Sequence, residues 1–236
     1  MELEQSFLKK NMMGPNAWCI AQELAHDLQL HPGMRVLDLG CGRGLSSIYL
    51  AKHFGVEVFA VDLWTKPDDN FSRFTEMGVE NLVVPLQMDA LHLPFAKGFF
   101  DGVFSIDAYH YFGNNDTYFE KVLMPILKPE AVVAIAFPGM KYEIHSNIPE
   151  EMKPFWESEA LEMWHSIDWW RPKFEPHLKD FCISEMHCFD KAWSDWLSCD
   201  NPYAIEDLPM MKTDGGRYMN LIQLKGKIYR VTPTGS

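Results

Sequence analysis

Acidic side chains and closely spaced glycines carry most of the chemistry available to this chain. In Val36-Leu-Asp-Leu-Gly-Cys-Gly-Arg-Gly44, Asp38 precedes glycines at three alternating positions, Gly40, Gly42 and Gly44. Such glycines let a backbone turn sharply and approach a ligand closely. Asp62 follows 20 residues after Gly42, a spacing that suits a carboxylate accepting hydrogen bonds from ribose hydroxyls at the end of a second parallel strand. Leu63 and Trp64, beside it, are placed to flank a nucleoside base. A dinucleotide fingerprint, G-x-G-x-x-G, would require glycine where this chain has Leu45. The carboxylate of Asp38 would also repel a pyrophosphate while attracting a cationic amino group. The corner therefore favours a positively charged nucleoside.

Strands and helices must hold these residues in place. Val36, Leu37 and Leu39 read as a buried strand, and Leu45 to Phe54 as a helix stopped by Gly55. Further strands are predicted at Glu57–Val61, Leu82–Leu86, Phe100–Asp107 and Ala131–Phe137, the later ones almost continuously apolar, as strands covered on both faces should be. Asn16 to Leu30 has the i, i+3, i+4, i+7 apolar spacing of an amphipathic helix with Asn16 as its N-cap. A helix is expected over Asp116–Leu127, a crossover helix over Phe174–Phe181, a sixth strand at Ile183–Cys188 and short helices around Ala192–Leu197. A final strand, Tyr218–Leu224, is expected to complete an antiparallel hairpin at the edge. The implied architecture is one α/β domain over residues 1–236, a doubly wound, mostly parallel seven-stranded sheet with helices on both faces and ligands beyond the carboxyl ends of its strands. Residues 1–30 would form an N-terminal cap segment.

Pro138 to Arg171 is longer than a simple connection needs. Met152, Phe155, Trp156, Ala160, Met163, Trp164 and Ile167 recur there at helical spacing, and four of the eight tryptophans fall in this stretch. An inserted helical lid is predicted, with Trp156, Trp169 and Trp170 as aromatic walls of an acceptor pocket. Adjacent Trp169 and Trp170 cannot both point the same way from a regular element.

The glycine corner, together with Asp89-Ala-Leu-His-Leu-Pro-Phe95, resembles the class I S-adenosylmethionine-dependent methyltransferases, whose fold is Rossmann-like. The resemblance spans about Gly14 to Phe137. It implies S-adenosyl-L-methionine as cofactor and S-adenosyl-L-homocysteine as product, with no metal. The cofactor contacts it implies are Asp38, Gly40, Cys41, Gly42, Gly44, Asp62 and Leu63 around the corner, and Asp89 and Ala90 at the adenine. Ser105 and Ile106 would meet the methionine end, and Met13 and Gly14 would fold over the cofactor. Residues just after the fourth strand would face the transferable methyl group, which places Tyr109 at the substrate and makes His110 a candidate general base, since imidazole titrates near neutrality. The loop has no D/N-P-P-Y/F motif, which counts against a DNA base as acceptor.

Composition narrows the function further. With 236 residues, 47% of them hydrophobic, one good core can be buried. The net charge of −12 opposes binding to a nucleic acid backbone. No apolar run reaches membrane-span length, and the first residues lack the pattern of a signal peptide. A cytoplasmic location with neither membrane nor nucleic-acid partner is expected. Five cysteines with no C-x-x-C pair indicate neither a disulfide framework nor a zinc site. The reading is methyl transfer to a small-molecule acceptor, at nitrogen, oxygen or sulfur, by in-line displacement. Alternatives are an RNA-linked or non-catalytic S-adenosylmethionine-binding relative and, from a different class, an NAD(P)-binding oxidoreductase.

Overall fold

A computed structural model describes residues 3–156 and 161–229. The chain begins with helices α1 (Gln5–Asn11) and α2 (Ala17–Leu24), the second started by Asn16, whose side chain accepts from the backbone N–H groups of Trp18 and Cys19. This N-cap falls where the sequence placed it, but α2 ends at Leu24, before the expected Leu30. Strand β1 (Arg35–Leu39) runs through the glycine corner into α3 (Leu45–Phe54), which Gly55 closes in a left-handed conformation. Then come β2 (Glu57–Asp62), α4 (Pro67–Glu76), β3 (Val83–Gln87) and β4 (Phe100–Ile106).

In place of the helix expected over Asp116–Leu127, a π-helical turn, Phe119–Leu123, passes into a single α-turn at Met124–Ile126. Strand β5 (Leu127–Met140) is longer than predicted. It pairs with β4 at Phe100 and again from Gly102, with a bulge between, and Glu130 takes up the slack at φ 67°.

The sheet order is β3-β2-β1-β4-β5-β7-β6, parallel through β5, with β7 (Met219–Ile228) antiparallel to both neighbours. The doubly wound, seven-stranded reading holds, with one change: the final strand lies inside the sheet, and β6 (Leu178–Glu185) forms the edge. Alternate residues of each strand feed two cores. Val36, Val58, Ala60 and Phe104 pack with α1, α2, α3 and the later helices α6 (Phe189–Leu197) and α7 (Pro202–Asp214). Leu37, Leu39, Val103 and Phe137 pack with Phe119, Leu123 and α5 (Ile167–Phe174).

The stretch around Phe174 corrects two expectations. Phe174 ends α5, Glu175–His177 is a 3₁₀ turn, and the chain is already extended from Leu178, so no crossover helix covers Phe174–Phe181 and the sixth strand starts earlier than Ile183. Pro176 explains the break, since it cannot donate the backbone hydrogen bond that would continue the helix.

The lid is also corrected. Residues 144–156 form turns, and 157–160, including Ala160 of the helical stripe, lie outside the described residues. Met152, Trp156 and Leu161 are buried in the same core as α2 and α6, and the Trp156 ring meets Tyr218 edge-on. Burial of this apolar surface outweighs leaving it at a cleft. Trp170 is fully buried against Phe137, with ring centroids 4.7 Å apart, and near Tyr109. Trp169 stacks on His165 at 3.6 Å. The two tryptophans do diverge, as the sequence required, but neither they nor Trp156 reaches the cavity at the sheet edge.

Trp170→Ala should therefore act on stability. Removing a large, wholly buried aromatic costs about 3–5 kcal/mol, to be read from urea denaturation, while Trp169→Ala should cost clearly less.

Candidate active site

Glycine torsions set the geometry of the corner. Gly40, Gly42 and Gly44 all have positive φ, at 74°, 52° and 80°. A Cβ on Gly40 would lie 2.2 Å from the Ala108 Cβ, and one on Gly44 would lie 2.4 Å from the Phe74 ring. Those two positions are closed by protein, whereas a Cβ on Gly42 would meet only the Met13 sulfur, at 3.2 Å, along the cavity wall.

The loop is fastened to β2. Gly40 and Cys41 donate to the Val61 carbonyl at 2.8 and 3.0 Å, and Gly42 N–H donates to the Asp62 carboxylate at 2.9 Å. The other oxygen of Asp62 accepts from Trp64 and Thr65 N–H at 2.9 and 2.8 Å. A carboxylate offers about four lone-pair positions, so three backbone donors orient Asp62 and leave acceptor capacity on the cavity side.

Helix α4 supplies support that sequence reading missed. Asn70 donates to the Gly42 carbonyl at 2.9 Å, and Arg73 links Asn70 to Asn11 of α1, with both bonds at 2.9 Å. The signal was available: Pro67 at the first helical turn followed by Asp68 and Asp69 is a helix start. Arg43 donates to the Lys10 carbonyl at 2.8 Å. These bonds hold the N-terminal segment beside the corner, where Met13, Gly14 and Pro15 line the cavity.

The cavity has a volume of about 540 Å³ and lies at the carboxyl ends of β1, β2 and β4. Among the predicted site residues, Gly40, Cys41, Gly42, Asp62, Leu63, Asp89, Ala90 and Ile106 border it. Asp89 accepts from Leu91 N–H at 2.9 Å and meets His92 Nδ1 at 3.1 Å, and these bonds hold its carboxyl below the usual range. Met13, Leu63, Trp64, Leu91 and Tyr111 are exposed apolar side chains, and all five sit on the cavity wall or rim. An apolar rim of this kind marks a surface shaped to receive a ligand.

Several predicted residues lie elsewhere. Asp38 is wholly buried and accepts from Ser46 Oγ and Ser47 Oγ at 2.6 and 2.5 Å. Burial raises its pKa to about 6 against the pull of those two bonds. It clamps the start of α3 to β1 and does not face a ligand amino group. Gly44 packs on Phe74 outside the cavity wall, and Ser105 Oγ donates to the Leu39 carbonyl at 2.7 Å within the sheet. Tyr109 is fully buried among Phe112, Phe137 and Trp170. His110 is buried with no hydrogen-bond partner for Nδ1 among the described residues, and burial pushes its pKa down to about 3. An imidazole so desolvated, away from the cavity wall, does not fit the general-base role.

The titratable group at this end of β4 is Asp107. It lies on the cavity wall at φ 54°, a left-handed conformation uncommon for a residue with a side chain, and its N–H donates to the Ala136 carbonyl at 2.8 Å. Gly14 passes so close that a Cβ there would be 2.1 Å from an Asp107 carboxyl oxygen. Burial, reinforced by the nearby Asp207 carboxylate, pushes the pKa of Asp107 up to about 8. The sequence showed only a strand-end Asp, because neither its torsion nor its approach to Asp207 of α7 is a local property.

A sheet of this order, with a glycine corner opening on a cavity at its carboxyl edge, defines the Rossmann-like methyltransferase fold. Residues 37–135 match the family described as "Methyltransferase domain". A 108-residue stretch is 34% identical to 2-methyl-6-phytyl-1,4-hydroquinone methyltransferase of Synechocystis sp., covering 45% of this chain and 33% of that protein. A 139-residue stretch is 26% identical to the O-methyltransferase resE of Aspergillus sclerotiorum, covering 58% of this chain and 52% of that protein. The chain thus spans between a third and about half of these relatives. Among solved structures, phosphoethanolamine N-methyltransferase 2 of Haemonchus contortus in complex with S-adenosyl-L-methionine superposes with a TM-score of 0.74 at 19% identity, covering 96% of this chain and 57% of that one. Among the described residues, no helix is long and apolar enough to cross a membrane.

The raised pKa of Asp107 has a consequence for stability. An acid that holds its proton more tightly in the native than in the unfolded chain makes stability fall as pH rises between the two pKa values, here from 3.8 to about 8. Asp107→Asn, which keeps a side chain tolerant of positive φ, should flatten that slope. In urea denaturation the variant should gain on wild type at about pH 8.5 and lose the gain near about pH 4.

Proposed function

We propose that this protein binds S-adenosyl-L-methionine in the cavity beside Gly42 and transfers its methyl group to a small-molecule acceptor. The observation that carries this reading is the convergence of Gly42 and the oriented carboxylate of Asp62 on one cavity of about 540 Å³, within the usual range for small-ligand sites of roughly 300–1,000 Å³. The residues present fit the cofactor. The wall at Gly42 has no side chain to obstruct a ligand, Asp62 has acceptor capacity for ribose hydroxyls, and Asp89 with Ala90 lies further along the same wall for the base. When bound, the cofactor supplies an electrophilic sulfonium methyl group that is open to in-line displacement.

The rest is positioning. Met13, Gly14 and Pro15 cover the cavity, and α1 is tied down by Arg43 and Arg73, so water is excluded by parts of the chain already in place. Asp107 takes the role first assigned to His110. Its ionised carboxylate accepts a proton from the acceptor nitrogen or oxygen as the methyl group arrives, and a pKa of about 8 matches that task near neutral pH. Small-molecule acceptors suit the cavity's dimensions and the net charge of −12.

Calorimetric titration with S-adenosylhomocysteine and, separately, NADH tests the reading. The first should bind and the second should not; the reverse result would replace methyl transfer with a redox function. Gly42→Asn should abolish S-adenosylhomocysteine binding with an unchanged circular dichroism spectrum, because asparagine tolerates the left-handed φ of 52° and its Cβ meets only one flexible side chain. Asp62→Ala should weaken binding at least about tenfold, since a hydrogen bond to a charged group contributes roughly 1.5–3 kcal/mol. Affinity unchanged in both variants would place the cofactor elsewhere.

A further inference from the structure

Glu143, His145 and His165 lie together beyond the end of β5, away from the cavity, and one ligand atom from each falls within 4.8 Å of the other two. Glu143 is held from behind: its Oε1 accepts from Ser166 N–H at 2.5 Å. Its Oε2 faces His145 Nδ1 at 2.9 Å and His165 Nδ1 at 3.1 Å.

The tautomer of His145 decides what these contacts mean. Its Nε2 lies 2.7 Å from the Leu161 carbonyl, which can only accept, so the ring proton sits on Nε2. In the neutral ring, Nδ1 is then unprotonated and lies 2.9 Å from the Glu143 carboxylate. Two acceptors this close suit a shared cation. The His165 ring also meets a backbone carbonyl, that of Glu162. Histidines that bind metals commonly donate their second ring N–H to such a carbonyl, which fixes the ring and its tautomer.

The two imidazoles stack with centroids 4.5 Å apart, and His165 is sandwiched against Trp169 at 3.6 Å. A divalent ion suits this geometry. Donors at about 2.0–2.1 Å around a tetrahedral ion stand roughly 3.3 Å apart, close to the 2.9 and 3.1 Å found between Oε2 and the two nitrogens. The frame is set in advance, because Met140 N–H donates to the His165 carbonyl at 3.0 Å and Ser166 bridges to Met140 at the end of β5.

We propose that Glu143, His145 and His165 bind a divalent transition-metal ion of the zinc class, with water at the remaining position. Imidazole donors select against magnesium and calcium, which prefer all-oxygen sites. The ion joins the segment just after β5 to the residue preceding the start of α5 at Ser166, and so fixes the turns between them. It is separate from methyl transfer and stands whether or not the proposed activity does.

The test uses tag-free full-length protein, stripped with a chelator and titrated calorimetrically with Zn²⁺ and with Mg²⁺. One equivalent of Zn²⁺ should bind with micromolar or tighter affinity and raise the melting temperature, and Mg²⁺ should give no heat. Glu143→Gln and His165→Asn should each weaken Zn²⁺ at least tenfold. Absence of stoichiometric Zn²⁺ binding, or binding by both variants equal to that of wild type, overturns the site. Should the variants fail to fold, Co²⁺ added to wild type decides: a tetrahedral spectrum without thiolate charge transfer supports the site, whereas thiolate bands or a six-coordinate spectrum overturn it.

Discussion

The bonding of the Asp62 carboxylate by three backbone N–H groups is the interaction on which the site depends. It ties the glycine loop after β1 to the end of β2 and to the first residues of the next connection. Without an acceptor there, three donors near a cavity would lose their partner, and an unpaired buried donor costs about 1–3 kcal/mol. The same carboxylate thus sets the shape of the loop and presents its remaining lone pair to the cavity. The left-handed glycines permit that shape, and α4, through Asn70 and Phe74, keeps it from relaxing outward.

The corner contains a second carboxylate whose role is the opposite. Asp38 is sealed under Ser46 and Ser47, where it bonds the first turn of α3 to β1. One carboxylate belongs to the scaffold, while the other borders the cavity. In the sequence both stand in short apolar runs, Val36 to Leu39 and Val58 to Leu63, and nothing local separates their roles. Side-chain direction along β1 separates them in the folded chain, because Asp38 alternates with Leu37 and Leu39 and so falls on the face covered by α3.

What was legible in the sequence follows the same division. Strands β1 to β5, the N-cap at Asn16, the stop at Gly55 and the corner itself are written in short periodicities and in residues with few conformational options. The cavity wall from Gly40 to Ala90 was readable for that reason. Aromatic direction was not. Trp156, Trp170, Tyr109 and His110 carry enough apolar surface that tertiary packing decides where they point, and each was drawn into the interior. Asp107 was hidden for the converse reason: its significance rests on φ 54° and on Asp207, 100 residues further along the chain. The helix misplaced over Phe174–Phe181 shows how one proline, Pro176, overrides an apolar pattern that fits both helix and strand.

The place of β7 has a consequence for how the protein is made. It is the last strand in sequence, yet it lies between β5 and β6 and pairs with both. During synthesis the parallel half of the sheet can assemble around the glycine corner while β5 still shows a bare edge and β6 has no neighbour to join. Both wait until Met219–Ile228 has left the ribosome. Pairings between distant parts of a chain form slowly, and exposed strand edges meanwhile invite aggregation. The nascent chain is therefore most vulnerable before this strand emerges, with its glycine corner already built and its sheet still open.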